Sequence, residues 1–161
     1  MLQPKHKIVD FNSLIILNLR RLRIPLHKIK RMRFHTRKWV KPEDLNPNGT
    51  LFGGRLLEWI DEEAALYTII QLENTKIVTK FISEINFKSS ARKGDIVEIG
   101  LEVTHFGKSS LTLACEVRNK MTRETIITID KIIMVNLDPQ GNPAAHGKTE
   151  VEFVKDRLSE D

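Results

Sequence analysis

The chain has 161 residues, 40% of them hydrophobic and 29% charged, with a net charge of +5 and one cysteine, Cys115. That length fits one domain with a sizeable core. A single cysteine excludes an internal disulfide and a cysteine-built zinc site, and it suits a reducing, cytoplasmic setting. No apolar run approaches the ~20 residues that a membrane-spanning helix needs.

The charge is unevenly placed. Residues 1–38 carry eleven Lys/Arg against one acid, Asp10, which leaves fifteen Lys/Arg and twenty Asp/Glu for the remainder. The body is therefore acidic, and a nucleic-acid partner for the whole chain loses its footing. Residues 1–31 read as a basic extension outside the fold. They fit a targeting segment, a basic arm, or an upstream extension with Met32 as the working start. The third reading is favoured, because organised sequence begins at Arg33.

Residues 33–40 (RFHTRKWV) are rich in aromatic and β-branched types and predict a first strand. Pro42 and the Asp44–Gly49 cluster end it. A helix follows from the Gly53-Gly54 pair, with apolar residues so widely spread that packing over much of its circumference is expected. After Asn74 the period changes from 3.6 to 2. Strands are predicted at 77–87, 96–105, 110–118 and 125–137, with turns at 93–95, 106–108, 119–123 and 138–141. Residues 142–161 read as a loose polar tail, with a short helical piece at 151–158. The order β-α-β-β-β-β, with one broadly apolar helix, predicts an α+β domain in which an antiparallel sheet curls around that helix.

The stretch from Asn46 to Thr68 (NPNGTLFGGRLLEWIDEEAALYT) carries the chemistry. Asp61 shares a helix face with Leu57, Ala64, Ala65 and Thr68. Apolar neighbours would desolvate the carboxylate and raise its basicity, which suits a general base or nucleophile. Glu58, Glu62 and Glu63 lie close by, so an ordinary acidic helix surface remains an equal reading on spacing alone. There is no G-x-S-x-G elbow, Walker loop or G-x-G-x-x-G. The five histidines (6, 27, 35, 105, 146) show no metal-ligand spacing. Enzymatic work would fall to carboxylates, amides and backbone donors.

N-P-N-G-T-L-F-G-G-R-L-L-E-W-I-D-E-E-A resembles the helix-start signature of hotdog-fold acyl-CoA thioesterases, most closely the cytosolic, bacterial-type acyl-CoA hydrolases. The likeness runs from about Phe34 to Lys148. It takes in V-T-K-F-I-S-E-I-N-F (78–87), K-G-D (93–95), F-G-K-S-S (106–110) and V-N-L-D (135–138). The resemblance implies a hotdog domain over 32–148, followed by a polar tail at 149–161. In that fold a five-stranded antiparallel sheet wraps one long central helix. It also implies a homodimer joined sheet edge to sheet edge, often assembled into a hexamer as a trimer of dimers, with active sites at the dimer interface. Residue by residue, the family's catalytic Asp falls on Asp61 and its partner Asn on Asn46, the two reaching one site from opposite protomers.

The expected activity is hydrolysis of acyl-CoA to fatty acid and coenzyme A. The thioester is the substrate, and no cofactor or metal is called for. Gly53 and Gly54 would bring a thioester oxygen close to the amides of the helix start. Asp61 would activate water, and Asn46 would orient the water or the carbonyl. Lys108, Ser109 and Ser110 fit the family's phosphate-contacting turn, and Thr79 the pantetheine channel. Phe52 stands where some mammalian members have histidine. Glu62-Glu63-Ala64-Ala65 replaces the Gly-rich run of other bacterial members, which leaves the acyl length open. A hotdog dehydratase would need a histidine near the helix start, and none lies between His35 and His105. The non-enzymatic alternative is an acyl-CoA-binding or sensing module that uses the same pocket.

Overall fold

Alternating strands bury one face, and the computed structural model shows where those faces meet. It describes residues 32–151; the basic extension and most of the helical piece expected at 151–158 lie outside the described residues. The elements are β1 (Arg33–Trp39), a 3-10 turn (Pro42–Asp44), α1 (Gly53–Leu72), β2 (Ile77–Ile82), β3 (Ile85–Phe87), β4 (Ile96–Phe106), β5 (Ser110–Asn119) and β6 (Thr125–Asn136). They form one antiparallel sheet in the order β1-β4-β5-β6-β2, with β3 also pairing to β6. The helix lies against one face of this open sheet.

The strand expected over 77–87 is two strands, so the sheet has six rather than five. Ser83 explains the break. Its N–H donates to the Lys131 carbonyl and its hydroxyl accepts from the Lys131 N–H. The chain stays on β6 across the interruption, pairing Ile82 with Ile132 before it and Ile85 with Ile129 after it.

The core matches the period-two pattern. Val97, Ile99, Leu101 and Val103 of β4 are buried, with Leu111, Leu113, Cys115 and Val117 of β5 and Ile127, Ile129, Ile132 and Met134 of β6. Each large side chain so buried contributes about 1.5–3 kcal/mol. Burial pushes the Cys115 thiol up to about 12, so it serves as a small core residue, as expected. Against this surface the helix sets Leu56, Ile60, Ala64 and Thr68, a stripe four residues apart. The wider coverage expected of the helix is absent within one chain: Leu66 and Ile70 stay 47% and 51% exposed.

The tail is less loose than its composition suggests. Ala144 N–H donates to the Asn136 carbonyl, Asn136 Nδ2 donates back to the Ala144 carbonyl, and His146 N–H donates to the Lys108 carbonyl. Lys148 Nζ lies 3.1 Å from Glu73 Oε2 at the helix end. Among the described residues no helix is long and apolar enough to cross a membrane.

On the sheet face away from the helix, Glu98 is 1% exposed yet charged. Arg118, Lys120 and Arg123 reach it at 2.6, 2.9 and 3.0 Å. Arg118 also stacks on Phe34, 3.5 Å from the ring centroid. Burial by itself would raise the Glu98 carboxyl, but hydrogen bonds from Lys120 and Arg118 outweigh it and hold the group below its ordinary value. A depressed folded value means stability that is present above the unfolded value, about 4.3, and lost as pH falls through the folded one. Glu98→Gln is therefore expected to cost about 2 kcal/mol in denaturant melts at neutral pH. The variant should also lose less stability than wild type as pH falls below about 4.

Candidate active site

Asp44 builds the approach to the helix. It is buried; its carboxylate accepts from the Lys41 N–H at 2.9 Å and lies 3.3 Å from Arg55 Nε, while its carbonyl accepts from the Phe52 N–H at 2.8 Å. These contacts fix both ends of the loop that holds Asn46. Asn46 Oδ1 accepts from the N–H groups of Asn48 and Thr50 at 2.9 and 3.3 Å, and Nδ2 donates to Thr50 Oγ1 at 3.0 Å. Gly49, at φ +72°, supplies the left-handed residue that closes the turn. Asn46 is thus the organiser of its own loop. Among the described residues no hydrogen bond joins it to Asp61.

The helix starts without a cap. Phe52 stands at the N-cap position and offers no side-chain acceptor. Leu56 N–H bonds the Phe52 carbonyl, but the amides of Gly53, Gly54 and Arg55 have no protein acceptor among the described residues. Three donors at the positive end of a 20-residue helix are open to an incoming oxygen.

Asp61 lies two turns further along. The desolvation expected from its Leu and Ala neighbours is not present, because Asp61 is exposed in the single chain. Its neighbours along the helix bury their own surface in the core and leave the carboxylate at the rim. Thr79 of β2 meets it there, its Oγ1 donating to Asp61 Oδ1 at 2.6 Å. Oδ2 has no protein partner among the described residues. Sequence reasoning gave Thr79 to the pantetheine channel and missed this bond, although an inward hydroxyl on the strand beside the helix was its signal.

The Gly107–Ser110 turn sits at the same end of the sheet. Ser110 pairs with Val135, which pairs with Val78, the neighbour of Thr79. Two strand spacings put that turn roughly 10 Å from β2. Gly107 N–H donates to the Ser110 carbonyl, and Ser110 Oγ fills the space where a side chain at Gly107 would go, 2.5 Å from a Cβ placed there. Lys108 is exposed, while Ser109 and Ser110 are partly covered. A cleft of about 380 Å³ lies instead toward β1, lined by Arg37, Trp39, Asp44, Arg55 and Trp59 among others. None of the sequence-predicted site residues line it. Among the described residues no cluster of His, Cys, Asp and Glu could hold a metal ion.

The thioesterase superfamily profile matches residues 48–126. An apo-hexameric acyl-CoA thioesterase of known structure is 37% identical, at a TM-score of 0.60, over 68% of this chain and 72% of that one. The chain belongs to the thioesterase superfamily. This superfamily member also matches the acyl-CoA hydrolase of Staphylococcus aureus, solved with butyryl-coenzyme A and coenzyme A, at 27% identity and a TM-score of 0.62 over 68% of this chain and 66% of that one. Variants of that hydrolase with one Asp, Asn or Thr changed to Ala have been solved as well. An uncharacterized acyl-CoA thioester hydrolase of Buchnera aphidicola is 33% identical over 76 residues, 47% of this chain and 56% of the relative. The acetyl-coenzyme A thioesterase of Rattus norvegicus is 29% identical over 130 residues, 74% of this chain and 23% of the relative. The chain thus spans only part of the length of these curated relatives.

The loop geometry gives one direct expectation. Asn46→Ala removes the acceptor shared by two backbone N–H groups, and a loss of about 1–2 kcal/mol is expected in thermal or denaturant unfolding. Unchanged stability would show that the loop holds its form without the carboxamide.

Proposed function

We propose that this chain hydrolyses acyl-CoA thioesters to a carboxylic acid and coenzyme A, with no cofactor beyond the substrate. The observation that carries this reading is the Thr79–Asp61 hydrogen bond. It fixes one carboxylate oxygen and leaves the other free to take a proton from water. The water attacks the thioester carbon, the carbonyl oxygen becomes an oxyanion, and the Gly53 and Gly54 amides stabilise it. Collapse of that intermediate breaks the C–S bond and releases the coenzyme A thiolate, which takes up a proton. General-base assistance of this kind contributes about 10²–10⁴-fold. Family membership supports the substrate class. So does a spacing: the Asn and Asp replaced in the S. aureus variants stand 15 positions apart, as Asn46 and Asp61 do.

Asn46 enters the reaction from a second copy of the chain. β2 is the last strand in the sheet order, and its Val78 and Phe81 are 46% and 47% exposed. Pairing of two such edges would cover them and desolvate Asp61. A dimer follows, with further assembly into a hexamer favoured by the hexameric state of the 37%-identical relative. Lys108, Ser109 and Ser110 would meet the phosphates of coenzyme A, at the end of the sheet where Thr79 lies. Residues 32–148 would form the catalytic domain, with 1–31 dispensable.

Thiol release from a panel of acyl-CoAs tests the reading. Asp61→Asn should lower kcat by at least about 100-fold with coenzyme A binding retained. Thr79→Val should lower kcat more than it raises KM, because it loosens the base and not the substrate. Wild-type turnover in Asp61→Asn would remove Asp61 as the base. Tight acyl-CoA binding with no thiol release from wild type would favour the binding-module alternative.

A further inference from the structure

Two aromatic rings crowd the uncapped helix start. A Cβ placed on Gly53 would lie 3.1 Å from Phe87 Cζ and 3.6 Å from its Cε1. A Cβ placed on Gly54 would lie 3.1 Å from Phe52 Cε1 and 3.3 Å from its Cδ1. The two rings therefore stand beside the Cβ positions of the two glycines, and a side chain at either one would push its ring back by a few tenths of an ångström. They come from separate elements. Phe52 folds back from the residue before the helix. Phe87 ends β3, where its pairing with Ile127 and the Lys88 N–H bond to the Ile126 carbonyl fix its backbone. Both rings are more than half exposed, at 53% and 54%. Large apolar surface beside three unpaired amides is costly to leave in water and is suited to a ligand that is apolar next to one polar atom.

We infer that Phe52 and Phe87 are the specificity-determining walls of the thioester slot, and that they restrict the substrate to acyl groups unbranched at the carbon next to the carbonyl. This rests on the hydrolase reading above and adds to it a substrate shape. A thioester carbonyl is planar. Its oxygen must come to about 2.9 Å from an amide nitrogen to accept a hydrogen bond. At that depth the carbon beside the carbonyl would reach the Phe52 and Phe87 rings. A methylene would fit beside the rings, whereas a methyl branch would press on rings that already stand close to the glycine Cβ positions. Cores and pockets resist one surplus methyl group by about 1–3 kcal/mol, or about 10–200-fold in kcat/KM.

The experiment compares kcat/KM for a straight-chain acyl-CoA of the best-used length with that for its 2-methyl isomer of equal carbon count. Wild type should favour the straight chain by at least about tenfold. Phe87→Ala should shrink that preference about tenfold, chiefly by gaining turnover on the branched isomer, and Phe87→Leu should fall between them. Phe52→Ala should act in the same direction. A preference that stays within twofold of wild type in both alanine variants overturns the inference while leaving the hydrolase reading intact. Absence of turnover on every thioester by wild type overturns both.

Discussion

A hydroxyl on an edge strand of the sheet holds a carboxylate on the helix, and the candidate site is organised around that contact. Thr79 and Asp61 are 18 residues apart in sequence, and their hydrogen bond is a direct polar link between β2 and the middle of α1. It exists because the helix commits its Leu56–Ile60–Ala64–Thr68 stripe to the core, which turns Asp61 toward the rim. It exists also because β2 is the strand left at that rim. On the hydrolase reading, one carboxylate oxygen is spent on positioning and the other is left for chemistry. A freely rotating exposed aspartate would have neither property.

The same rim explains why a single chain looks unfinished. Val78, Phe81, Leu66 and Ile70 are large apolar side chains about half exposed, and the outer edge of β2 offers unpaired backbone groups. On the hydrolase reading a second copy covers this edge, and it brings what the first copy lacks. Asn46 is held rigidly by Thr50 and the turn amides, so its position is set by the loop. A residue so fixed within its own subunit can serve only what is brought up to it. The uncapped helix start has the same character, with donors in place and no internal acceptor.

Most of the architecture was legible because period-two alternation in β4, β5 and β6 reports directly on which side faces the core. The split between β2 and β3 was not, because Ser83 and Glu84 sit inside an alternating run. The break depends on hydrogen bonds to Lys131, 48 residues away. The candidate residues stood out in the sequence as types at family spacing, whereas their environment did not. Asp61 was expected to be desolvated by Leu57, Ala64 and Ala65. Helical neighbours share a face, however, and burial is decided by what packs on that face. Thr79 was read as channel lining, since a sequence does not reveal which helix residue an inward hydroxyl will meet. Phe87 attracted no functional reading at all. Its relation to Gly53 arises only when β3 folds onto β6 beside the helix start.

The central claim is that the working site is divided between two copies of the chain, the base from one and the carboxamide from the other. Its most direct test is to co-express Asp61→Asn and Asn46→Ala chains under two different tags and measure turnover of the doubly purified oligomer. Random pairing in a two-fold dimer makes half the dimers mixed, and each mixed dimer has one wild-type site of its two. The account predicts that two nearly inactive variants together recover thioester hydrolysis, to roughly half of wild type if the doubly purified species is a dimer and roughly a quarter if it is a hexamer of three randomly paired dimers. No recovery above the separate variants, in a mixed oligomer shown to form, would contradict it and place both residues in one chain's site.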